Sequence, residues 1–194
     1  NNREMIASSF FGDFVYFVQN LYSNKGTIPL HAPVFEGNER AYVLDTLETT
    51  YVSSIGGYVN EFENRIAKFT GAHFCVATNS GTAALHVALL LSGVQSEDEV
   101  ITQPLTFVAT CNAIRYCGAH PVFVDVEAST LGLSPVSLEQ FLTENAEIRD
   151  DGLCWNRRSG RIIRACLPVH NLGHPVRIDE IFAICKQYNI KLVE

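Results

Sequence analysis

The sequence predicts an α/β fold, a mostly parallel sheet flanked by helices, and three observations lead there. Apolar, β-branched runs alternate with helix-spaced segments along most of the chain. PVFVDV, residues 121–126, reads as a strand buried on both faces, as parallel sheets covered by helices require. FCVATNSGTAALHVALLLSG, residues 74–93, passes from a β-rich run through a small-residue turn straight into an Ala/Leu helix. With 194 residues, 47% hydrophobic and 18% charged, the chain holds enough apolar material for one substantial core and is no disordered tail.

From the N-terminus, Ile6, Phe10, Phe14, Phe17, Val18 and Leu21 fall near one face at helical spacing. That aromatic face carries too few Lys and Arg for a lipid surface and fits core or subunit packing. Residues 58–71 place Val59, Phe62, Ile66 and Phe69 at three- and four-residue steps and end on Gly71, an amphipathic helix with its stop signal. A strand at 74–79 and the Ala/Leu helix come next. Residues 99–107 predict the second strand, residues 108–116 a helix and residues 121–126 the third strand.

Ser134 before Pro135 supplies a cap and a first-turn proline for a helix that ends near Asn145, with Leu138, Phe141 and Leu142 inward. Residues 146–163 are polar and turn-rich and read as an exposed excursion. Residues 162–170 predict a fourth strand ending on His170. Residues 178–188 predict a helix with Ile181, Phe182 and Cys185 inward, and residues 190–194 a fifth strand. Residues 1–27 read as a helical extension and residues 28–194 as the body of the fold. The start at Asn1 without methionine and the end inside a strand read as a piece of something longer.

Charge and composition exclude several classes. A net charge of −7 with scattered basic residues argues against a nucleic-acid partner. No apolar run reaches the length of a membrane span. Six cysteines without a C-x-x-C pair, several inside apolar runs, read as buried neutral thiols of a reduced, cytoplasmic protein. His170 and His174 have zinc-like spacing but no accompanying ligand pair, so no metal is expected.

The chemistry concentrates in the turn Asn79, Ser80, Gly81, Thr82. Free N–H groups and the positive end of the helix dipole converge there, and Gly81 has no Cβ to hold a ligand's oxygens away, so a phosphate fits. Asn79 or Ser80 can equally cap the helix with nothing bound. The turn lacks both the G-x-G-x-x-G spacing and the G-K-[ST] ending, which leaves a phosphate-bearing cofactor of another kind.

ITQPLTFVATCNAI, with NSGTAALHVALL before it and PVFVDV and LPVHNLGHPVRIDEI after it, resembles the DegT/StrS family of sugar-nucleotide aminotransferases from about Ile28 to Glu194. IPLHAPVF, TTYVSSIGGYVNEFE and NRRSGRIIRA further resemble the branch that aminates nucleotide-linked 4-keto-6-deoxy-hexoses for bacillosamine- or legionaminic-acid-type glycans. The resemblance implies pyridoxal 5′-phosphate on a fold-type-I scaffold of which residues 28–194 are the first part of the large domain. It also implies a homodimer, glutamate as amino donor, and a nucleotide-linked keto sugar as substrate.

By the same resemblance, Ser80, Gly81, Thr82 and Ala83 form the phosphate cup and Phe107 stacks on the pyridine ring. Gly56, Gly57 and Tyr58 lie near the substrate and dimer interface, and His170 near the cofactor or sugar. The family's ring-nitrogen aspartate and Schiff-base lysine match nothing in these residues. Lys186 and Lys191 are not substitutes, so the 194 residues by themselves are expected to be inactive. Two other readings stay open: the family's sugar dehydratases, in which histidine replaces the lysine, and a non-catalytic fragment that merely dimerises.

Overall fold

The computed structural model describes residues 10–24, 26–29 and 32–194, the side chain of Phe10 excepted. The chain forms two compact units, divided between Phe74 and Cys75.

The first unit is helical: α1 (Phe10–Leu21), α2 (Glu39–Glu48) and α3 (Gly57–Thr70). The stripe predicted on α1 is solvent-exposed at Phe14, Phe17 and Leu21; Ile6 and the Phe10 side chain lie outside the described residues. α3 ends where the sequence places its stop, because Gly71 takes φ 74°, a left-handed conformation open to glycine without steric cost. Its apolar stripe is present but unburied, with Phe62, Ile66 and Phe69 all exposed.

The second unit carries α4 (Gly81–Leu91), β1 (Glu99–Thr102), α5 (Val108–Tyr116), β2 (His120–Phe123), α6 (Pro135–Asn145), β3 (Ala146–Ile148), β4 (Cys154–Asn156), β5 (Ile163–Leu167), α7 (Ile178–Gln187) and β6 (Lys191–Leu192). Four strands form a parallel sheet in the order β2, β1, β5, β6. Strand periodicity builds three layers from it. Ile101 and Cys166 face one side, among Leu138, Leu142, Ile181 and Cys185 of α6 and α7. Val100, Ala165 and Leu167 face the other, among Leu89 of α4 and Ala113 and Ile114 of α5. Each such leucine or isoleucine removed from water contributes about 1.5–3 kcal/mol.

Ser134 caps α6 as predicted: its Oγ accepts the Ser137 N–H at 3.2 Å, with Pro135 in the first turn. Several expectations are corrected. Residues 74–78 form no strand, and Phe74 and Val76 are exposed. β1 stops at Thr102, because Pro104 has no N–H for a ladder and Gln103 turns its side chain inward.

β2 is an edge strand, not one buried on both faces: it pairs only with β1 among the described residues, and Phe123 is exposed. Residues 146–163 are no simple excursion, since β3 and β4 pair antiparallel and Ala146, Cys154 and Asn156 are buried. The buried Asn156 amide donates to Glu99 Oε2 at 2.8 Å, which anchors this hairpin to the start of β1. β5 ends at Leu167, three residues before His170, and Phe182 points outward from α7.

Candidate active site

α5 starts just past the C-terminal end of β1 and leads back to the start of β2, so it runs against the strands. α4 likewise leads into the start of β1. Both first turns therefore face the C-terminal edge of the sheet, where open α/β sheets bind ligands.

At the start of α4, Ser80 is the N-cap, with extended backbone and its Oγ accepting the Ala83 N–H at 3.2 Å. Thr78 Oγ1 donates to the Ser80 carbonyl at 3.0 Å, tying the incoming chain to the cap. This is the capping role the sequence allowed, and it uses only one of the first-turn donors. Among the described residues the N–H groups of Gly81 and Thr82 have no protein acceptor.

Gly81 adds a second observation. It sits in the first helical turn with an ordinary φ, and a Cβ built on it meets no atom within 4 Å. Among the described residues neither backbone conformation nor packing calls for glycine here, where alanine favours a helix by about 1 kcal/mol. Two unpaired donors, the dipole's positive end and an open approach over Gly81 fit a phosphate group.

Phe107 is not the last residue of β1 but the N-cap of α5, with φ −71° and ψ 143°, and is 78% exposed at the C-terminal edge of the sheet. A ring packed as an ordinary core aromatic would be buried. The turn before it is anchored from inside: the wholly buried Gln103 accepts the N–H groups of Leu133 at 2.8 Å and Val169 at 3.1 Å, and donates Nε2 to the Leu105 carbonyl at 2.9 Å. Asn171 Nδ2 donates to the same carbonyl at 2.9 Å and also to the carbonyl of Leu131. Sequence reasoning missed both amides. The available signal was a glutamine directly before a proline in an apolar strand, a polar group that burial obliges to find partners.

His170 opens a short 3₁₀ turn, Asn171–Gly173. The Val176 N–H donates to Nδ1 at 3.1 Å, so the other nitrogen carries the proton and Nε2 donates to Glu194 Oε2 at 3.1 Å. Both ring nitrogens are thus engaged by protein groups, and the imidazole ties the loop after β5 to the end of β6. Lys186, in the last turn of α7, and Lys191, at the start of β6, both lie toward the opposite edge of the sheet. Among the described residues no group of three or more His, Cys, Asp or Glu is placed to hold a metal ion.

In the first unit, Gly56 is the N-cap of α3 and Gly57 its first residue. Neither has a left-handed φ, and a Cβ on Gly57 meets nothing within 4 Å. Tyr58 Oη donates to Asp45 Oδ2 at 2.8 Å, and this bond holds the phenol pKa above its ordinary value. The Tyr42 ring lies 5.1 Å from that of Tyr58. Asp45, Tyr51, Ser53, Gly56, Gly57 and Tyr58 line an open cleft of about 500 Å³.

A sequence profile of the DegT/DnrJ/EryC1/StrS aminotransferase family matches residues 33–194. A GDP-perosamine synthase of Caulobacter vibrioides is 36% identical over 167 residues, covering 86% of this chain and 40% of the relative. The X-ray structure of the aminotransferase from Psychrobacter cryohalolentis superposes with a TM-score of 0.68 at 28% identity, over 84% of this chain and 38% of that one. The PLP form of the putative sugar aminotransferase Spr1654 from Streptococcus pneumoniae superposes with a TM-score of 0.65 at 27% identity, over 87% of this chain and 38% of that one. The chain spans about two fifths of the length of the curated relatives it matches. The parallel sheet flanked by helices is as expected, and the solved neighbours are aminotransferases of fold type I. The chain belongs to the DegT/DnrJ/EryC1/StrS aminotransferase family.

Proposed function

We propose that these residues are the cofactor-phosphate and ring-stacking part of a PLP-dependent aminotransferase. The enzyme converts a nucleotide-linked 4-keto-6-deoxy sugar to its amino sugar, with glutamate as donor, for surface glycan synthesis. The observation that carries this reading is the start of α4: among the described residues, two N–H groups without an acceptor stand beside a glycine that neither conformation nor packing requires. Relatives named as GDP-perosamine synthase and as a sugar aminotransferase support the reaction class.

The residues divide the work of binding. Gly81 and Thr82 donate backbone N–H bonds to the phosphate, the Thr82 hydroxyl adds a third donor, and Ser80 and Ala83 hold the turn in shape. Phe107 lays an apolar face on the pyridine ring, fixing its plane and keeping water off it. When bound, PLP supplies the electron sink that lets an amino group leave one carbon and join another. Lys186 and Lys191 lie toward the wrong edge of the sheet to carry the proton; on the family resemblance that lysine comes from the parent polypeptide outside these residues, and the 194 residues alone are inactive. Gly56 and Gly57 offer open backbone to the sugar, and Tyr58, whose O–H is given to Asp45, offers its phenol oxygen as an acceptor. His170 acts from behind the site, through Glu194 and the Val176 N–H.

Two copies form the working unit, a reading supported by exposed apolar side chains in the first unit such as Val52, Ile55 and Phe62. No helix among the described residues is long and apolar enough to cross a membrane, and the six cysteines are unpaired, which fits a reducing cytoplasm.

Gly81→Ala in the full-length protein tests the reading. The helix should gain roughly 0.5–1 kcal/mol from the better helix former, while affinity for PLP falls because the new methyl occupies the phosphate's approach. Unchanged PLP affinity in this variant, measured by titrating the apo form, would remove the phosphate cup from α4.

A further inference from the structure

We propose that Gln103 and Asn171 are positioning residues for the cofactor ring: their two side-chain amides clamp the Leu105 carbonyl and thereby aim Phe107. The inference rests on the reading that Phe107 contacts the ring.

The geometry is a convergence of three loops on one buried side chain. Gln103 follows the last residue of β1 and is wholly buried. Its oxygen takes the N–H of Leu133, from the segment leading into α6, and that of Val169, from the segment leaving β5. Its nitrogen donates to Leu105, two residues before Phe107. A glutamine amide offers two acceptor sites and two donors, so three of the four are used inside the protein.

Asn171 approaches the same carbonyl from the loop beyond β5 and reaches Leu131 as well. The Leu105 carbonyl therefore has both lone pairs occupied, one by each amide. Pro104 fixes φ on one side of that peptide, and Thr106 Oγ1 pairs with Thr110 Oγ1 at 2.8 Å on the other. Phe107 itself is exposed, so its direction is set by its backbone and not by packing around the ring. The turn before it is held at Leu105, and the residues that hold it are the two amides.

This arrangement separates two parts of cofactor binding. The donors for the phosphate come from α4, whereas the hydrogen bonds of Gln103 and Asn171 go to Leu105, Leu131, Leu133 and Val169, and the face offered to the ring depends on them. Gln103→Met keeps the length of the side chain and removes all three bonds. Asn171→Ser shortens a half-buried side chain on a loop and removes both of its bonds to the carbonyls.

The experiment uses the full-length protein, freed of cofactor and titrated with PLP, with two readouts: affinity, and the circular dichroism induced in the bound cofactor's absorption band. Gln103→Met and Asn171→Ser should each weaken PLP about threefold to tenfold and reduce the induced dichroism. Leu142→Ala, a core cavity on the other side of the unit, should lower the melting temperature and change neither readout. Wild-type affinity and dichroism in both amide variants, alongside loss of both in Phe107→Ala, would overturn this proposal and leave the cofactor reading standing. If Phe107→Ala itself changes neither readout, the ring contact fails and this inference with it. Should Gln103→Met not fold, Asn171→Ser alone decides, since its loop position does not carry the core.

Discussion

Gly132→Ala tests how tightly the ligand edge of the sheet is built. Gly132 is buried in the turn between β2 and α6, where its carbonyl accepts the Glu127 N–H at 3.0 Å and its own N–H donates to Thr130 Oγ1 at 3.2 Å. Its φ is not left-handed, so conformation alone does not require glycine; close approach does. A Cβ there falls 2.1 Å from Val176 Cγ1 and 3.2 Å from Val176 Cβ. Carbon atoms in contact sit about 3.5–4.0 Å apart, so either the turn and the loop carrying Val176 separate by roughly 1.5 Å or Val176 leaves its rotamer.

Overpacking of this kind costs about 1–3 kcal/mol, and the reduced freedom of alanine in the unfolded chain returns about 0.4–1 kcal/mol, for a net loss of about 1–2 kcal/mol. Val176→Ala removes two buried methyl groups and should cost about 2 kcal/mol by itself. In the double variant the new methyl enters space the valine has left, so the combined loss should fall short of the sum by at least about 1 kcal/mol. Urea unfolding of the four full-length proteins measures the cycle. A Gly132→Ala variant as stable as wild type, or strict additivity in the cycle, would refute the packing argument.

Two further outcomes follow from the same coordinates. Burial pushes the Cys154 thiol up to about 11, with the neighbouring Cys185 adding to the shift, and raises Cys117 as well. Because the folded-state value is raised, stability is fully present below the ordinary thiol pKa of 9.0 and is lost as pH rises from there through about 11. Replacing Cys154 by alanine should flatten that alkaline decline, and an unchanged slope in pH-dependent unfolding would count against it. The 194-residue chain alone should self-associate, because Phe14, Phe69, Phe74 and Val76 are all at least 60% exposed; a single monomeric species in sedimentation would contradict this.

Local signals carried far where the physics is local. The cap at Ser134 with Pro135 behind it, the stop at Gly71, and the turn at Ser80 all depend on a few consecutive residues, and all three stand where the sequence places them. The bounds of α5 follow for the same reason. Expectations failed where the deciding partner is distant. Residues 74–78 have strand composition but form no strand. β2 has the apolar content of an inner strand yet lies at an edge, because strand order is a property of the sheet and not of the strand. The polar run after α6 hides a hairpin whose anchor, Glu99, is 57 residues away from Asn156.

For the site, the sequence by itself determined a donor-rich helix start at Gly81, an aromatic residue following β1, and the family. Helix starts and strand ends are encoded by short-range backbone preferences, so composition and spacing suffice to find them. Only the tertiary structure decided what steadies that aromatic residue. Gln103 bonds to residues 30 and 66 positions away, and Asn171 to residues 66 and 40 away, contacts that exist only once β1, β5 and the turn before α6 have been brought to one edge. A buried amide must find partners, but which partners it finds is settled by the fold around it.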